Sequence, residues 1–474
     1  MNSKLTYEKF LPLQNFGHSL RTPAYLFRPQ AAEDILTVFK LAKENGLTVT
    51  ARGAGRSYND AALNGGGIIL DLQRMNHILA WDPASGSVTV EPGVTLCQLW
   101  QTTLPDGWWP PVVSGTMTTT LGGCLGANIH GKNNFRMGTL GEHVTEFTAL
   151  LPTGAQVNCS PKRNGDLFRA MIGGLGMLGI FTSITLQMKR VHSGLLNVRA
   201  WNVPDLETHL KQLEAAAPEH NYTVGWLDAT ARGRRLGRGQ LHTADYLSEG
   251  EDPDPARSLR VEYQTLPDKF FGILPKTLLH FFMAPFVNNP GVRAVNTAKY
   301  ILGAGNKAYR QSHAAFHFLL DYVPNWELAY GRGGLIQYQS FLPKETALEA
   351  WTRMLLLAQK RGLPSYLGVT KRHRPDGFLL SYAVDGFSLA LDFKVTAANR
   401  ARLAQMLGEF DEIVLEAGGR FYFAKNSETG AETTRRFLGE ETVARFHALK
   451  KRCDPNNLLE SDLYRRLFSA YTNT

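Results

Sequence analysis

Arg52-Gly53-Ala54-Gly55-Arg56-Ser57-Tyr58-Asn59-Asp60 lies between two apolar runs, Leu47-Thr-Val-Thr-Ala51 and Gly67-Ile-Ile-Leu-Asp-Leu72. The flanking runs read as strands, and the stretch between them is too rich in glycine for an element interior. Gly53 and Gly55 permit positive φ and close backbone approach. Successive backbone N–H groups in such a loop form a concave anion site suited to a pyrophosphate, and Ser57 adds a hydroxyl donor. A second cluster, Gly115-Thr116 to Gly122-Gly123, offers another close backbone approach. Each alone is an ordinary turn. Two of them, separated by strands at 67–72 and 87–93 and a helix from Val94 to Leu104, point beyond turns.

Outward from these loops, residues 31–46 predict an amphipathic helix. Ile35, Leu36, Val38, Phe39 and Leu41 form its apolar face, and Gly46 closes it. A strand pair is expected at 145–158, a helix near 164–171 and a β-branched strand from Ile180 to Val191. Gly174-Leu-Gly176-Met-Leu-Gly179 matches G-x-G-x-x-G, but a helix precedes it and a strand follows, the reverse of a dinucleotide fingerprint. No G-x-x-x-x-G-K-[ST], H-E-x-x-H or G-x-S-x-G occurs. After residue 192 glycine clusters thin out, and β-prone segments alternate with helices such as 345–361. Residues 266–310 combine Phe270, Phe271, Phe281, Phe282 and Phe286 with lysines and prolines. They read as an exposed flap that touches lipid.

Composition bounds the remaining classes. A chain of 474 residues with 43% hydrophobic and 20% charged residues is long enough for large folded domains. The net charge of +9 suits an anionic ligand or membrane surface. There is no dense basic stripe, so no nucleic-acid partner is expected. The run Arg232 to Arg238 reads as a solvated hairpin tip. Cys97, Cys124, Cys159 and Cys453 form no C-x-x-C pair, which suits a reducing compartment. The first residues lack a signal-peptide pattern and no long apolar run occurs. A cytoplasmic protein, with peripheral membrane contact at most, is the expectation.

Four motifs carry a resemblance: Arg52-Gly-Ala-Gly-Arg-Ser57, Gly66-Gly-Ile-Ile-Leu-Asp-Leu72, Val90-Glu-Pro-Gly93 and Gly115-Thr to Gly122-Gly123. Together they resemble the FAD-binding domain of the vanillyl-alcohol oxidase / p-cresol methylhydroxylase superfamily. That resemblance implies an α+β fold: a PCMH-type FAD-binding domain of two subdomains, plus an α+β substrate domain with an antiparallel sheet. It divides the chain into 1–192 (FAD domain), 193–411 (substrate domain) and 412–474 (a C-terminal piece returning to the flavin). It places FAD against Arg52, Gly53, Ala54, Gly55, Arg56, Ser57, Tyr58, Gly115, Thr116, Gly122, Gly123, Ala127, Asn128, Ile129, His130, Ile180 and Tyr422. Several members attach FAD through a histidine just before the serine. Arg56 stands there, so non-covalent FAD is expected, and denaturation should free it. No metal is expected.

Further runs narrow the resemblance. They are Ile129-His-Gly-Lys-Asn133, Ala329 to Gln339, Gly418-Gly-Arg-Phe-Tyr-Phe-Ala-Lys-Asn-Ser427 and Asp454 to Leu463. These resemble the flavin subunits of polyprenyl-phosphoryl-ribose 2′-epimerases, which serve cell-wall arabinan synthesis. The implied reaction is oxidation of the 2′-hydroxyl of a decaprenylphosphoryl-ribose-like lipid to a keto intermediate, by hydride transfer to flavin. A separate NAD(P)H-dependent reductase would complete the epimerisation. Lys425, preceded by an expected buried strand Phe421-Tyr-Phe423, would offset the negative charge the flavin gains. Tyr58 and His130 are both candidates for the base. Lys132, Trp226, His317, Gln337, Gln339, Lys371 and Ser388 are the expected substrate residues. Gln337 and Gln339, two apart on a strand, share a face suited to a polyhydroxyl sugar. Ser388 and Ala390 stand where the family carries Asn and Cys, and His317 where it carries Tyr; these departures bear on the exact substrate. Alternatives are FAD oxidation of an alditol or lactone, reduction of a lipid C=C bond, or a non-enzymatic basic binding module with a degenerate flavin fold. Yellow colour in the purified protein separates the last from the others.

Overall fold

Val49–Arg52, Ile68–Asp71 and Arg21–Phe27 are strands rich in buried aliphatic side chains. Such runs suit a sheet covered on both faces, and they pair in parallel about the central Ile68–Asp71. Phe10–Gln14 adds antiparallel at the edge, giving a four-stranded sheet. The computed structural model describes residues 4–267, 269–270 and 274–469. Helix Ala32–Glu44 buries Ile35, Val38, Phe39 and Ala42 against this sheet, on the face its periodicity predicts. The glycine loop leaves the carboxyl end of Val49–Arg52, where open parallel sheets place ligands.

A second, antiparallel sheet follows, in the order Ile78–Asp82, Ser87–Val90, Ile180–Gln187, Val144–Leu150 and Gln156–Cys159. Helix Leu96–Thr103 begins on a capping box of Thr95 and Gln98. Gly174–Gly179 does lie between helix Gly165–Met171 and strand Ile180–Gln187, the wrong order for a dinucleotide fold.

The second half forms an eight-stranded antiparallel sheet. Its order is Lys307–Ser312, Leu195–Val203, Gly239–Tyr246, Tyr222–Leu227, Leu367–His373, Gly386–Lys394, Leu335–Pro343 and Arg420–Phe421. Because strand side chains alternate, its two faces divide cleanly. Ser340 accepts from Trp351 Nε1 (3.0 Å), Tyr338 donates to Asp411 (2.9 Å) and Thr370 bonds His209 (2.7 Å). This face therefore carries helices Leu206–Ala216, Ala347–Lys360 and Arg400–Glu416. Gln337, Gln339 and Lys371 point to the other face.

The last residues return to the first sheet. Leu458 and Leu459 fill its core beside Val49 and Ile68. Leu458 O accepts from Val49 N (2.7 Å), and Glu460 N donates to Val49 O (3.0 Å). Arg466 pairs with Asp60 at 2.6 Å.

Three expectations change. The expected strand Phe421-Tyr-Phe423 pairs only over Arg420–Phe421. The chain then turns, with Lys425 N donating to Tyr422 O (2.9 Å), which swings Lys425 back toward the first domain. The run from Arg232 is a hairpin tip, but Arg238 leaves it and is buried against Asp228 (3.0 Å). The 266–310 segment is only in part an exposed flap. Asn289–Leu302 is a fourteen-residue helix fastened to the sheet, and Lys307–Ser312 is the sheet's edge strand. Phe281, Phe282 and Phe286 are exposed, whereas Phe271 lies outside the described residues.

Asp411 gives a stability test. Burial pushes its carboxyl up to about 7, from an ordinary value of 3.8. Between those values the fold binds a proton that the unfolded chain releases, so stability falls as pH rises through this window. Asp411→Asn keeps the shape without that dependence. Its urea midpoint should match the parent's near pH 4 and exceed it at pH 8; equal midpoints at pH 8 would contradict the assignment.

Candidate functional site

Arg52 holds the first glycine loop closed by donating to Gln14 O (2.9 Å) and Ala62 O (3.1 Å). Gly55, at φ +66°, lies under that guanidinium, where a Cβ would come within 2.1 Å of it. Gly53 faces the second loop: a Cβ there would sit 2.0 Å from Thr120 Oγ1. The two glycine loops are thus opposite walls of one cleft. Arg56, stacked on Phe16 at 5.1 Å, and Thr120 each keep a buried polar atom, Nε and Oγ1, without a partner. Unpaired buried donors beside glycine-lined backbone fit a diphosphate. Ala54 and Ser57 are half-buried in the same loop.

The second loop is built tightly. Gly122 N donates to Pro92 O (2.8 Å), and a Cβ at Gly122 would meet Pro92 at 2.7 Å. Gly123 faces Thr120. Thr116 Oγ1 and Met117 N both donate to the Asp321 carboxylate at 2.7 Å, while Gly115 O accepts from Leu320 N (3.2 Å). Ala127 caps helix Leu121–Gly126. Asn128, left-handed at φ +43°, accepts from Tyr382 OH at its carbonyl (2.6 Å). Ile129 and His130 then turn toward the large sheet. Ile180 is buried in the core below.

A cluster of buried lysine, tyrosine, histidine and amide side chains lies where these loops meet that sheet. Lys425 Nζ sits over the Tyr58 ring at 3.9 Å from its centroid. The contact is set by the backbone, because Tyr58 N donates to Ala424 O (3.0 Å) and Asn59 Nδ2 donates to Phe423 O (2.5 Å). Burial pulls the Lys425 ammonium down to about 7; Asp392 opposes this and Lys371 adds to it. Gln337 Nε2 donates to Asp392 Oδ1 (2.5 Å), and Asp392, buried, is pushed up to about 6. Burial first, then Asp392 and Glu327, raises the Tyr58 phenol well above its ordinary value, so it stays neutral.

His130 is buried among Phe341, His373, Tyr382 and Tyr422 rings. Its Nε2 lies 3.0 Å from the Gln339 amide and its Nδ1 3.3 Å from Lys371 Nζ. Burial, then Lys371, His373 and Lys425, holds His130 well below its ordinary value. Lys371 is itself lowered to about 8 by burial. Lys132 donates to Phe316 O and stacks on its ring at 4.3 Å; burial and Lys371 lower it to about 7. His317 is buried between Trp109 and Tyr222, with Nε2 unpartnered. The Ser388 hydroxyl is engaged by His373 Nε2 (2.8 Å), a step behind the front of the pocket. Trp226 lies farther along the same face, next to Val369. Among the described residues, no His/Cys/Asp/Glu cluster is arranged to hold a metal.

Residues 23–160 match the FAD binding domain family. Over 464 residues the chain is 32% identical to decaprenylphosphoryl-beta-D-ribose oxidase of Mycolicibacterium smegmatis, spanning 96% of this chain and 97% of that protein. The chain belongs to the decaprenylphosphoryl-β-D-ribose oxidase family. It is an FAD-dependent oxidoreductase of PCMH-type α+β fold. Similarity to an uncharacterized protein in the mprA 5′ region of Streptomyces coelicolor is 29% over 401 residues, 79% of this chain and all of that one. L-Gulonolactone oxidase of Bos taurus is 30% identical over 165 residues, only 35% of this chain and 37% of its own length. The decaprenylphosphoryl-ribose oxidase likeness thus runs through both halves of the chain, and the lactone oxidase likeness does not.

Within this oxidase-family site, sequence reading missed Asp392, His373, Tyr382 and Asn426. Asn426 Oδ1 accepts from Gln339 N (2.8 Å) and so joins the Lys425 turn to the substrate strand. Asp392 was within reach: it follows Ser388 and Ala390 at period two, the spacing of one strand face. The others depend on contacts between distant segments.

Proposed function

We propose that this protein oxidises the 2′-hydroxyl of a polyprenyl-phosphoryl pentose to a ketone, with FAD held non-covalently. The observation that carries the reading is the meeting of Lys425, Tyr58, His130, Gln337, Gln339 and Lys371, with Lys132 near Lys371, in one buried cluster beside the first glycine loop. When bound, FAD supplies the two-electron acceptor for the hydride of the carbinol carbon. In this reading residues 1–192 and 412–474 hold the cofactor, and residues 193–411 present the substrate.

The chain's own residues then divide the work. Gln337 and Gln339 hold the sugar hydroxyls on one strand face. Neutral Tyr58 donates to the reacting oxygen and Lys425 adds positive charge on the flavin side, where negative charge develops. His130 is held neutral, by burial first and then by Lys371, His373 and Lys425. A phosphate beside Lys371 offsets one smaller contribution to that depression, the field of Lys371, while burial remains. His130 accepts the hydroxyl proton when substrate is seated. Buried rings of Phe341, Tyr382 and Tyr422 exclude water around it.

A separate NAD(P)H-dependent reductase acting on the keto product, and shallow membrane contact, belong to the same reading. Exposed Phe281, Phe282 and Phe286 support lipid contact. Among the described residues, no helix is long and apolar enough to cross a membrane. The test is anaerobic mixing of the FAD-loaded enzyme with farnesylphosphoryl-ribose, free ribose, an alditol and a lactone. Only the first should bleach the flavin rapidly; faster bleaching by the alditol or lactone would overturn the reading.

A further inference from the structure

The substrate face of the large sheet continues well past the pocket. The register places Gln339 opposite Ala390, Ala390 opposite Val369, Val369 opposite Trp226, Trp226 opposite Gln240 and Gln240 opposite Asn202. This is a straight row across six strands. At the usual interstrand spacing, Trp226 lies three strands from Gln339, about 14 Å. For a sugar held at Gln339, this row is a path along which its next substituent can run, past Val369.

Helix Asn289–Leu302 crosses the outer end of the row. Its attachment is complete without Lys299. Asn202 Nδ2 donates to Tyr300 O (2.7 Å), Gln240 Nε2 to Lys299 O (3.2 Å), Arg238 to Thr297 Oγ1 (2.9 Å) and Asn296 Nδ2 to Asp228 (3.1 Å). The Lys299 ammonium instead reaches over the Trp226 ring at 4.2 Å. Among the described residues, neither Lys299, Lys132 nor Lys371 has a carboxylate within ion-pair distance. His242 is held down to about 4 by burial, then by the fields of Lys132 and Lys299. It lies under the influence of both and stays neutral.

We propose that Lys299 is a specificity-determining residue that closes on the phosphate of the lipid-linked sugar from the outer side, opposite Lys132, with Trp226 beneath the first carbons of the lipid. The inference rests on the reading that the substrate is a phosphoryl-linked sugar. It adds a residue from the 289–302 helix to the substrate site. That gives the helix a purpose: it places one cation where the polar head ends and leads the chain toward exposed Ile301 and Leu302.

The experiment uses the FAD-loaded enzyme with geranylgeranyl phosphate and geranylgeraniol, followed by calorimetry, so no turnover is needed. The parent should bind the phosphate more tightly than the alcohol. Lys299→Gln should weaken phosphate binding by about 10- to 100-fold, the worth of one charge-assisted hydrogen bond, and so narrow that preference. Lys299→Arg should restore it. With farnesylphosphoryl-ribose, Lys299→Gln should raise KM while kcat changes little. Unchanged phosphate affinity in Lys299→Gln, or no preference for phosphate in the parent, would overturn the clamp. Neither outcome touches the hydroxyl-oxidation reading, which fails separately if farnesylphosphoryl-ribose leaves the flavin oxidised.

Discussion

Lys425→Met should slow flavin reduction by substrate about 10²- to 10³-fold, the usual effect of removing one group that faces developing charge. FAD content should stay near the parent's, because Lys425 sits over the Tyr58 ring, whereas the close backbone approach is made by Gly53, Gly55 and Thr120. The effect has a definite pH sign. Burial holds Lys425 at about 7, so its charge is present below that pH and is lost above it. The ratio of parent to variant rates should therefore be largest near pH 6 and shrink toward pH 9. Stopped-flow absorbance under anaerobic conditions reads both quantities. A ratio near one at pH 6 would show that Lys425 is not the flavin-side cation.

Gly53→Val should reduce FAD occupancy to under about a tenth of the parent's, the larger of the two losses in cofactor. A Cβ at Gly53 lies 2.0 Å from Thr120 Oγ1, so the two loops must part to admit it. Overpacking of this kind costs about 1–3 kcal/mol in a well-packed region. Here the strain falls on the walls that would hold the diphosphate. The far core, with Leu458 and Leu459 against Val49, is left intact, so the purified protein should remain folded and pale. In a Gly53→Ala background, Thr120→Ala removes the opposing hydroxyl and should recover part of the flavin. Full occupancy in Gly53→Val, measured by the flavin-to-protein absorbance ratio, would remove this cleft as the cofactor site.

Local chemistry made much of the fold legible. The helix expected at 31–46 is found at Ala32–Glu44, and the glycine loop leaves its strand where expected. These features depend on nearest neighbours: a 3.6-residue period, a closing glycine, a loop that no strand can absorb. Lys425 was expected through family resemblance, and its position depends on a turn after Phe421 that the apolar run Phe421-Tyr-Phe423 concealed. Arg238 shows the same limit. In sequence it is one cation of a basic run, and only the fold gives it Asp228. Asp392 and Lys299 required the register of the eight-stranded sheet. That register sets Asp392 against Gln337, 55 residues away, and Trp226 against Val369, and no local pattern encodes it.

In the proposed function, a site that recognises a lipid-linked pentose oxidises it at the 2′ position. The most direct test of this is single-turnover reduction of the FAD-loaded enzyme by farnesylphosphoryl-ribose, compared with the same compound carrying deuterium on the 2′ carbon and with its 2′-deoxy analogue. Rapid bleaching that slows with deuterium and vanishes with the deoxy compound, leaving a 2′-ketone, is the predicted result. Bleaching that is indifferent to both changes at the 2′ carbon would contradict it.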